Sequence, residues 1–170
     1  MDKKTNLTLI GMAACGKSTT GVLLAKALNM RFVDTDIVLQ QRHGQLLPDM
    51  LTESGMEEFI RRESAVIRSL DGQNTCIATG GSAVYAGDAM AYLQQHSVIV
   101  WLDLAFPEIQ KRLGDIKSRG VVTEAGKTLY EIFCERRPLY EQYANITVCA
   151  DQKNAEELVA EIVERFHQFL

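Results

Sequence analysis

The chain has 170 residues, 46% of them hydrophobic and 24% charged, with a formal net charge of −4. That length fits one domain with a sizeable core, and the mild acidity excludes a broad phosphate-backbone surface, so nucleic acid is not an expected partner. No apolar run reaches the roughly 20 residues that cross a bilayer and no secretion signal opens the chain, so no membrane partner is expected and the expected compartment is the cytoplasm.

Cys15, Cys76, Cys134 and Cys149 lie far apart with no C-x-x-C pair. That spacing predicts reduced, mostly buried thiols rather than a zinc site.

In chain order, residues 5–10 (TNLTLI) read as a short apolar strand that runs into residues 11–18 (GMAACGKS), and residues 19–28 read as a helix. Residues 31–33 form a short strand ending at Asp34-Thr35-Asp36, with a helix starting near Ile37. A helix over 57–70 follows, then a strand over 76–79 ending at Gly80-Gly81-Ser82, and a helix over 88–95. Residues 98–102 (VIVWL) are continuously apolar, as a strand covered on both faces should be.

A helix over 107–113 leads into residues 114–127, which are polar, glycine-containing and without periodicity, the pattern of a functional lid. Helix 128–143, strand 146–149 and helix 155–170 complete the chain. In the last helix Leu158, Val159, Ile162, Val163 and Phe166 recur at helical spacing, which predicts packing on the sheet rather than a partner-binding face; a monomer is the expected state. Strands alternating with helices over residues 1–170 imply one doubly wound α/β domain, with ligands at the carboxyl ends of the strands.

Residues 11–18 fit G-x-x-x-x-G-K-[ST] between a strand and a helix, which is the context a phosphate-cradling P-loop needs. Backbone N–H groups of Gly11, Met12, Ala13, Ala14, Cys15 and Gly16, with the helix start at Thr19, would hold the phosphates of ATP; Lys17 would lie along them and Ser18 would ligate Mg²⁺. Neither an N-K-x-D element nor L-S-G-G-Q is present, so GTPases and transporter ATPases give way to small kinases. Asp34 is placed to hold a Mg²⁺-bound water and Asp36 to act on a substrate hydroxyl, although either could simply cap the next helix. Gly80 and Gly81 let backbone approach a ligand closely. Six arginines, Arg61, Arg62, Arg112, Arg119, Arg136 and Arg137, are candidates for gripping anions.

Together, L-I-G-M…G-K-S-T-T-G, F-V-D-T-D, E-E-F-I-R-R-E, A-T-G-G and E-R-R-P-L-Y-E-Q-Y-A-N resemble the shikimate kinase family over nearly the whole chain. The resemblance implies a three-layer α/β/α P-loop kinase with a five-stranded parallel sheet of order 2-3-1-4-5 and a lid, and transfer of the ATP γ-phosphoryl to the 3-hydroxyl of shikimate in aromatic amino-acid biosynthesis. It implies a substrate region over about residues 34–70 and a lid over about 114–127. It places Lys17 and Ser18 on ATP and Mg²⁺, Asp34 on the metal's water, Asp36 on the substrate hydroxyls and Gly80 and Gly81 in the substrate pocket. Arg112 would flank the adenine, Arg119 would cover the phosphates and Arg136 would hold the substrate carboxylate.

Departures from the family's pattern fall in the substrate helix, in the lid and glycine turn, and in the P-loop. Ile60 stands where the family's G-E-x-x-F-R-x-x-E helix carries a carboxylate-binding arginine, and the adjacent Arg61 points about 100° further round a helix. The lid reads Arg119-Gly120-Val121-Val122, and Ser82 follows the two glycines in place of a third. In the P-loop, Ala14 and Cys15 replace a glycine and a small residue; Ala14 needs a backbone conformation an L-residue accepts, and Cys15 at a helix N-terminus is a candidate for oxidation. Ile60 leaves open a different small polyol or hydroxy acid as acceptor, and a catalytically inactive nucleotide-binding module is the third reading.

Overall fold

A computed structural model describes residues 4–114 and 126–169. Strands β1 (Asn6–Ile10), β2 (Arg31–Asp34), β3 (Thr75–Ala78), β4 (Ser97–Asp103) and β5 (Ile146–Cys149) form one parallel sheet of order β2-β3-β1-β4-β5. The register sets Leu9 beside Ala78 on one flank and Val100 on the other, and Val33 beside Ile77. β1 and β3 are buried at every residue, whereas β5 alternates and β2 is half-exposed, as befits edge strands. The order 2-3-1-4-5 is the expected one.

Helices α1 (Lys17–Ala27), α2 (Thr35–His43), α3 (Leu47–Arg68), α4 (Gly87–His96), α5 (Phe106–Gly114), α6 (Leu129–Tyr143) and α7 (Ala155–His167) connect and cover the strands, with a 3₁₀ turn at Ala83–Tyr85. α1 packs against α7, and α3 against α4. Leu158, Ile162 and Phe166 of α7 join the main core with Leu7, Leu9, Leu24 and Val148, so the stripe does pack inward. None of the described helices is long and apolar enough to cross a membrane.

Among the element boundaries that differ from the sequence reading, two bear on the site. α2 starts at Thr35 rather than near Ile37, because Asp34 is its N-cap and accepts from the N–H groups of Asp36 at 3.0 Å and Ile37 at 3.4 Å. α3 begins ten residues before the predicted 57, with Pro48 in its first turn and a break at Gly55, whose φ of 77° and ψ of 173° are non-helical. That extra segment carries Met50 into a small second core with Leu39, Phe59 and Val66, which fastens α2 to α3.

The cysteine expectation is half right. All four thiols are free, but only Cys15 and Cys76 are buried while Cys134 and Cys149 are exposed.

Candidate active site

Three loops meet at the carboxyl ends of β1, β2 and β3. After β1 the chain enters the P-loop, with Gly11 at φ 144°, Ala14 at φ 64° and Gly16 at φ 96°. A Cβ on Gly11 would sit 2.8 Å from the Leu102 carbonyl and 2.9 Å from Cys15 Sγ, so only glycine fits the first turn. Ala14, by contrast, holds a left-handed conformation that costs an L-residue about 1–2 kcal/mol. Its carbonyl accepts from Arg112 at 3.3 Å, and Arg112 is also paired with Glu108 at 3.0 Å. Arg112 thus stands against the phosphate loop.

Lys17 is 8% exposed and donates to the carbonyls of Gly11 and Met12, both at 2.8 Å, and to Cys15 Sγ at 3.7 Å. Its ammonium is bonded to the loop's own carbonyls, where a β- or γ-phosphate would compete for it. Cys15 is 1% exposed, which shields it from the oxidation its sequence position suggested. Ser18 Oγ donates to Asp34 Oδ2 at 2.6 Å, so the hydroxyl and carboxylate expected to serve Mg²⁺ are already adjacent. Hard oxygen donors of this kind fit Mg²⁺, which keeps several waters and takes few protein ligands.

The end of β3 is tied to the start of α2: Gly80 N–H donates to Thr35 Oγ1 at 3.3 Å, and Thr35 is 1% exposed. This contact sets Asp36 opposite Gly80. A Cβ at Gly80 would lie 2.7 Å from Asp36 Oδ1 and would also collide with Glu63 Oε1; one at Gly81 would lie 2.9 Å from an Arg136 terminal nitrogen. The two glycines are therefore where three ionisable side chains converge on bare backbone. Burial raises the Asp36 carboxyl to about 6, with the Asp34 charge adding to the rise and Lys17 opposing it.

Arg136, on α6, is 3% exposed, lies 5.2 Å over the Tyr85 ring and leaves its Nε without a hydrogen bond among the described residues. A buried guanidinium with an orphaned donor is a site awaiting an anion. α6 is held in place by a capping box between Thr128 and Glu131, and by Tyr140, whose hydroxyl donates to the Gly81 carbonyl at 2.7 Å.

The structure separates some predicted site residues from this cluster. Arg61 does not replace the missing cation: its side chain is 77% exposed and forks onto Glu58 at 2.7 and 2.8 Å. Arg62 binds the same Glu58, and the two arginines hold that carboxyl down to about 2. Ile60 is partly buried and packs against the main core. Arg137 is fixed to Asp103 at 2.6 and 2.8 Å and lies over Trp101. Ser82 faces inward and donates to Glu63 Oε2 at 2.7 Å. Arg119 and the centre of the expected lid lie outside the described residues.

Glu63 was missed as a site residue. A helix-borne glutamate in R-R-E reads as solvated, and the available clues were its place four residues after Phe59, on the inward face of the helix, and its match to the last glutamate of the family's G-E-x-x-F-R-x-x-E pattern.

Comparison with known proteins agrees with this fold. A model of the shikimate kinase family matches residues 13–167. The shikimate kinase of Nitrosomonas europaea is 34% identical over 166 residues, covering 96% of this chain and 79% of the relative. That of Vibrio cholerae is 33% identical over 173 residues, covering 100% and 99%. Among solved structures, a shikimate kinase from Acinetobacter baumannii in complex with shikimate superposes with TM-score 0.89 at 26% identity, covering 96% of this chain and 93% of the other. The Aquifex aeolicus shikimate kinase gives 0.81 at 32% identity, covering 95% and 96%. The chain belongs to the shikimate kinase family.

Proposed function

We propose that this chain transfers the γ-phosphoryl group of ATP to the 3-hydroxyl of shikimate, with Mg²⁺ as the metal. The observation that carries the reading is the convergence of Asp36 and the buried, underbonded Arg136 on Gly80 and Gly81, beside a P-loop whose lysine is already in place. Arg136 supplies a charge-assisted grip for a carboxylate, and Asp36 accepts the proton of the attacking hydroxyl. The hydroxyl oxygen forms its bond to the γ-phosphorus as the bond to the β–γ bridging oxygen breaks; ADP leaves, and the proton stays on Asp36.

Lys17 leaves its carbonyl partners for the phosphates and offsets the charge on the leaving oxygens. Ser18 and Asp34 would hold Mg²⁺, the latter through water, and the bound ion would withdraw charge from the phosphate oxygens. Gly11 to Thr19 and Arg112 serve the nucleotide, and Arg119 is assigned to the phosphates by resemblance. Ile60 leaves the acceptor side without the family's second cation, and Ser82 acts there through the Glu63 carboxyl that it donates to. Residues 1–170 act as one kinase domain, a cytoplasmic monomer working on small molecules in aromatic amino-acid biosynthesis.

A different hydroxy-acid acceptor and an inactive nucleotide-binding module are the weaker readings. The curated relatives matched over the whole chain are shikimate kinases, and a pure binder has no use for Asp36 opposite a bare glycine. The test is ADP release from Mg-ATP against shikimate and a panel of polyols and hydroxy acids. Turnover selective for shikimate is expected; selectivity for another acceptor, or ATP binding without acceptor-dependent turnover, would overturn the assignment.

A further inference from the structure

Among the described acidic residues Glu63 alone is fully enclosed, at 1% exposure. Its Oε2 accepts from Ser82, while its Oε1 has no hydrogen-bond partner among the described residues and lies, with Asp36 Oδ1, beside the place a Cβ on Gly80 would fill. Ile60, one turn earlier on the same face of α3, is apolar and packed into the core. Arg61 and Arg62 are both committed to Glu58.

Four groups from other elements face Glu63: Asp36 from α2, Lys17 from α1, Ser82 after β3 and Arg136 from α6. Ser82 and the two cations favour the ionised form. Burial and the Asp36 charge outweigh them and push the carboxyl up to about 7. A buried carboxyl oxygen set against Gly80 beside Asp36 Oδ1, with no hydrogen-bond donor or cation bonded to it among the described residues, has the environment of a carboxylic acid that keeps its proton.

We propose that Glu63 serves the acceptor pocket as a neutral acid, its Oε1 donating a hydrogen bond to an acceptor oxygen seated against Gly80, next to the hydroxyl that faces Asp36. The ligand class this selects has two adjacent oxygens and an anionic group: one hydroxyl for Asp36, a neighbouring oxygen for Glu63 and a carboxylate for Arg136. Glu63 forms and breaks no bond; it is a specificity-determining residue. On ionisation it ceases to donate and sets a second negative charge beside the acceptor's oxygens, so acceptor binding weakens on the alkaline side.

This inference rests on the kinase reading above, and shikimate turnover by the wild-type enzyme at about pH 6 serves as the control that separates the two. KM for shikimate and kcat at saturating Mg-ATP are measured from about pH 6 to 9 in wild type, Glu63→Gln and Glu63→Ala. In wild type KM should rise about tenfold per pH unit above the Glu63 midpoint. Glu63→Gln keeps an N–H donor and should hold KM flat and low over that range, whereas Glu63→Ala should raise it on the order of tenfold at every pH.

A Glu63→Gln profile that overlays wild type, or a KM for it as high as that of Glu63→Ala, overturns the proposal. A second readout is independent of turnover: infrared difference spectra of the wild-type protein should show a neutral-carboxyl C=O band that persists in Asp36→Asn, is lost as pH rises past about 7 and shifts when shikimate binds. Absence of that band, or a band that shikimate leaves unmoved, also overturns it.

Discussion

Ser18 Oγ and Asp34 Oδ2 are 2.6 Å apart, so the last residue of the P-loop is latched to the end of β2. Asp34 simultaneously caps α2 through its other carboxylate oxygen. The residue therefore has two jobs, one electrostatic and one structural, and they can be separated. Asn caps helices as well as Asp does, so Asp34→Asn should keep thermal stability within about 0.5 kcal/mol while lowering kcat at fixed Mg²⁺ on the order of a hundredfold. Asp34→Ala should lose the activity and about 1 kcal/mol of stability besides. Melting curves and Mg²⁺ titrations of the two variants check this; equal stability of the two would show that the cap contributes nothing.

Ala14 holds φ 64° in the P-loop, a conformation in which glycine is not penalised. Ala14→Gly should stabilise the protein by about 0.5–1 kcal/mol, because the relieved strain exceeds the extra entropy glycine brings to the unfolded chain. For a chain of this size that is a rise in Tm of about 2 °C. Differential scanning calorimetry without nucleotide measures it, and an unchanged or lower Tm would mean the loop is not strained.

The buried Glu63 makes stability depend on pH. Its carboxyl sits at about 7 in the folded chain against 4.5 in a model peptide, so between those values the folded state holds a proton that the unfolded state has released. The associated stability is complete below about pH 4.5 and is lost as pH rises through about 7, amounting to up to about 3 kcal/mol. Asp36 adds a slope of the same sign from 3.8 to about 6, but it is common to wild type and Glu63→Gln. Urea unfolding of the two proteins at about pH 5 and pH 8 should therefore show Glu63→Gln gaining on wild type at the higher pH. Parallel pH dependences would contradict the buried neutral acid.

Arg61 and Ile60 are neighbours with opposite expected sensitivities. Arg61 is exposed and bound to Glu58, so Arg61→Ala should leave KM for shikimate within about twofold. Ile60→Arg, three residues before Glu63, can lay its stem along the core and bring a second cation to the pocket, and should tighten shikimate binding by about tenfold. Isothermal titration of both variants decides it; weaker binding by Arg61→Ala would return that residue to the site.

The P-loop and the carboxylates Asp34 and Asp36 were legible from local chemistry, a strand running into a glycine turn and a carboxylate at a strand end, whereas the sheet order and the placing of Gly80 and Arg136 in one substrate pocket came only through the resemblance to the family. What was not legible depended on tertiary packing. The first turns of α3 lie in a polar, glycine-broken stretch, and Met50 anchors them only because Leu39 and Phe59 are brought beside it. Glu63 reads as one more helix-surface charge until α2 and the β3 loop close over it. The side on which Arg61 would fall was likewise decided by Glu58, a partner three residues away whose pull cannot be weighed without the helix's orientation.

The most direct test of the whole account is ³¹P NMR of the product formed from Mg-ATP and shikimate. A phosphate monoester coupled to the ring proton at the 3-position, appearing in step with ADP, is the predicted result. ADP with inorganic phosphate alone, an ester at another hydroxyl, or no consumption of ATP would contradict it.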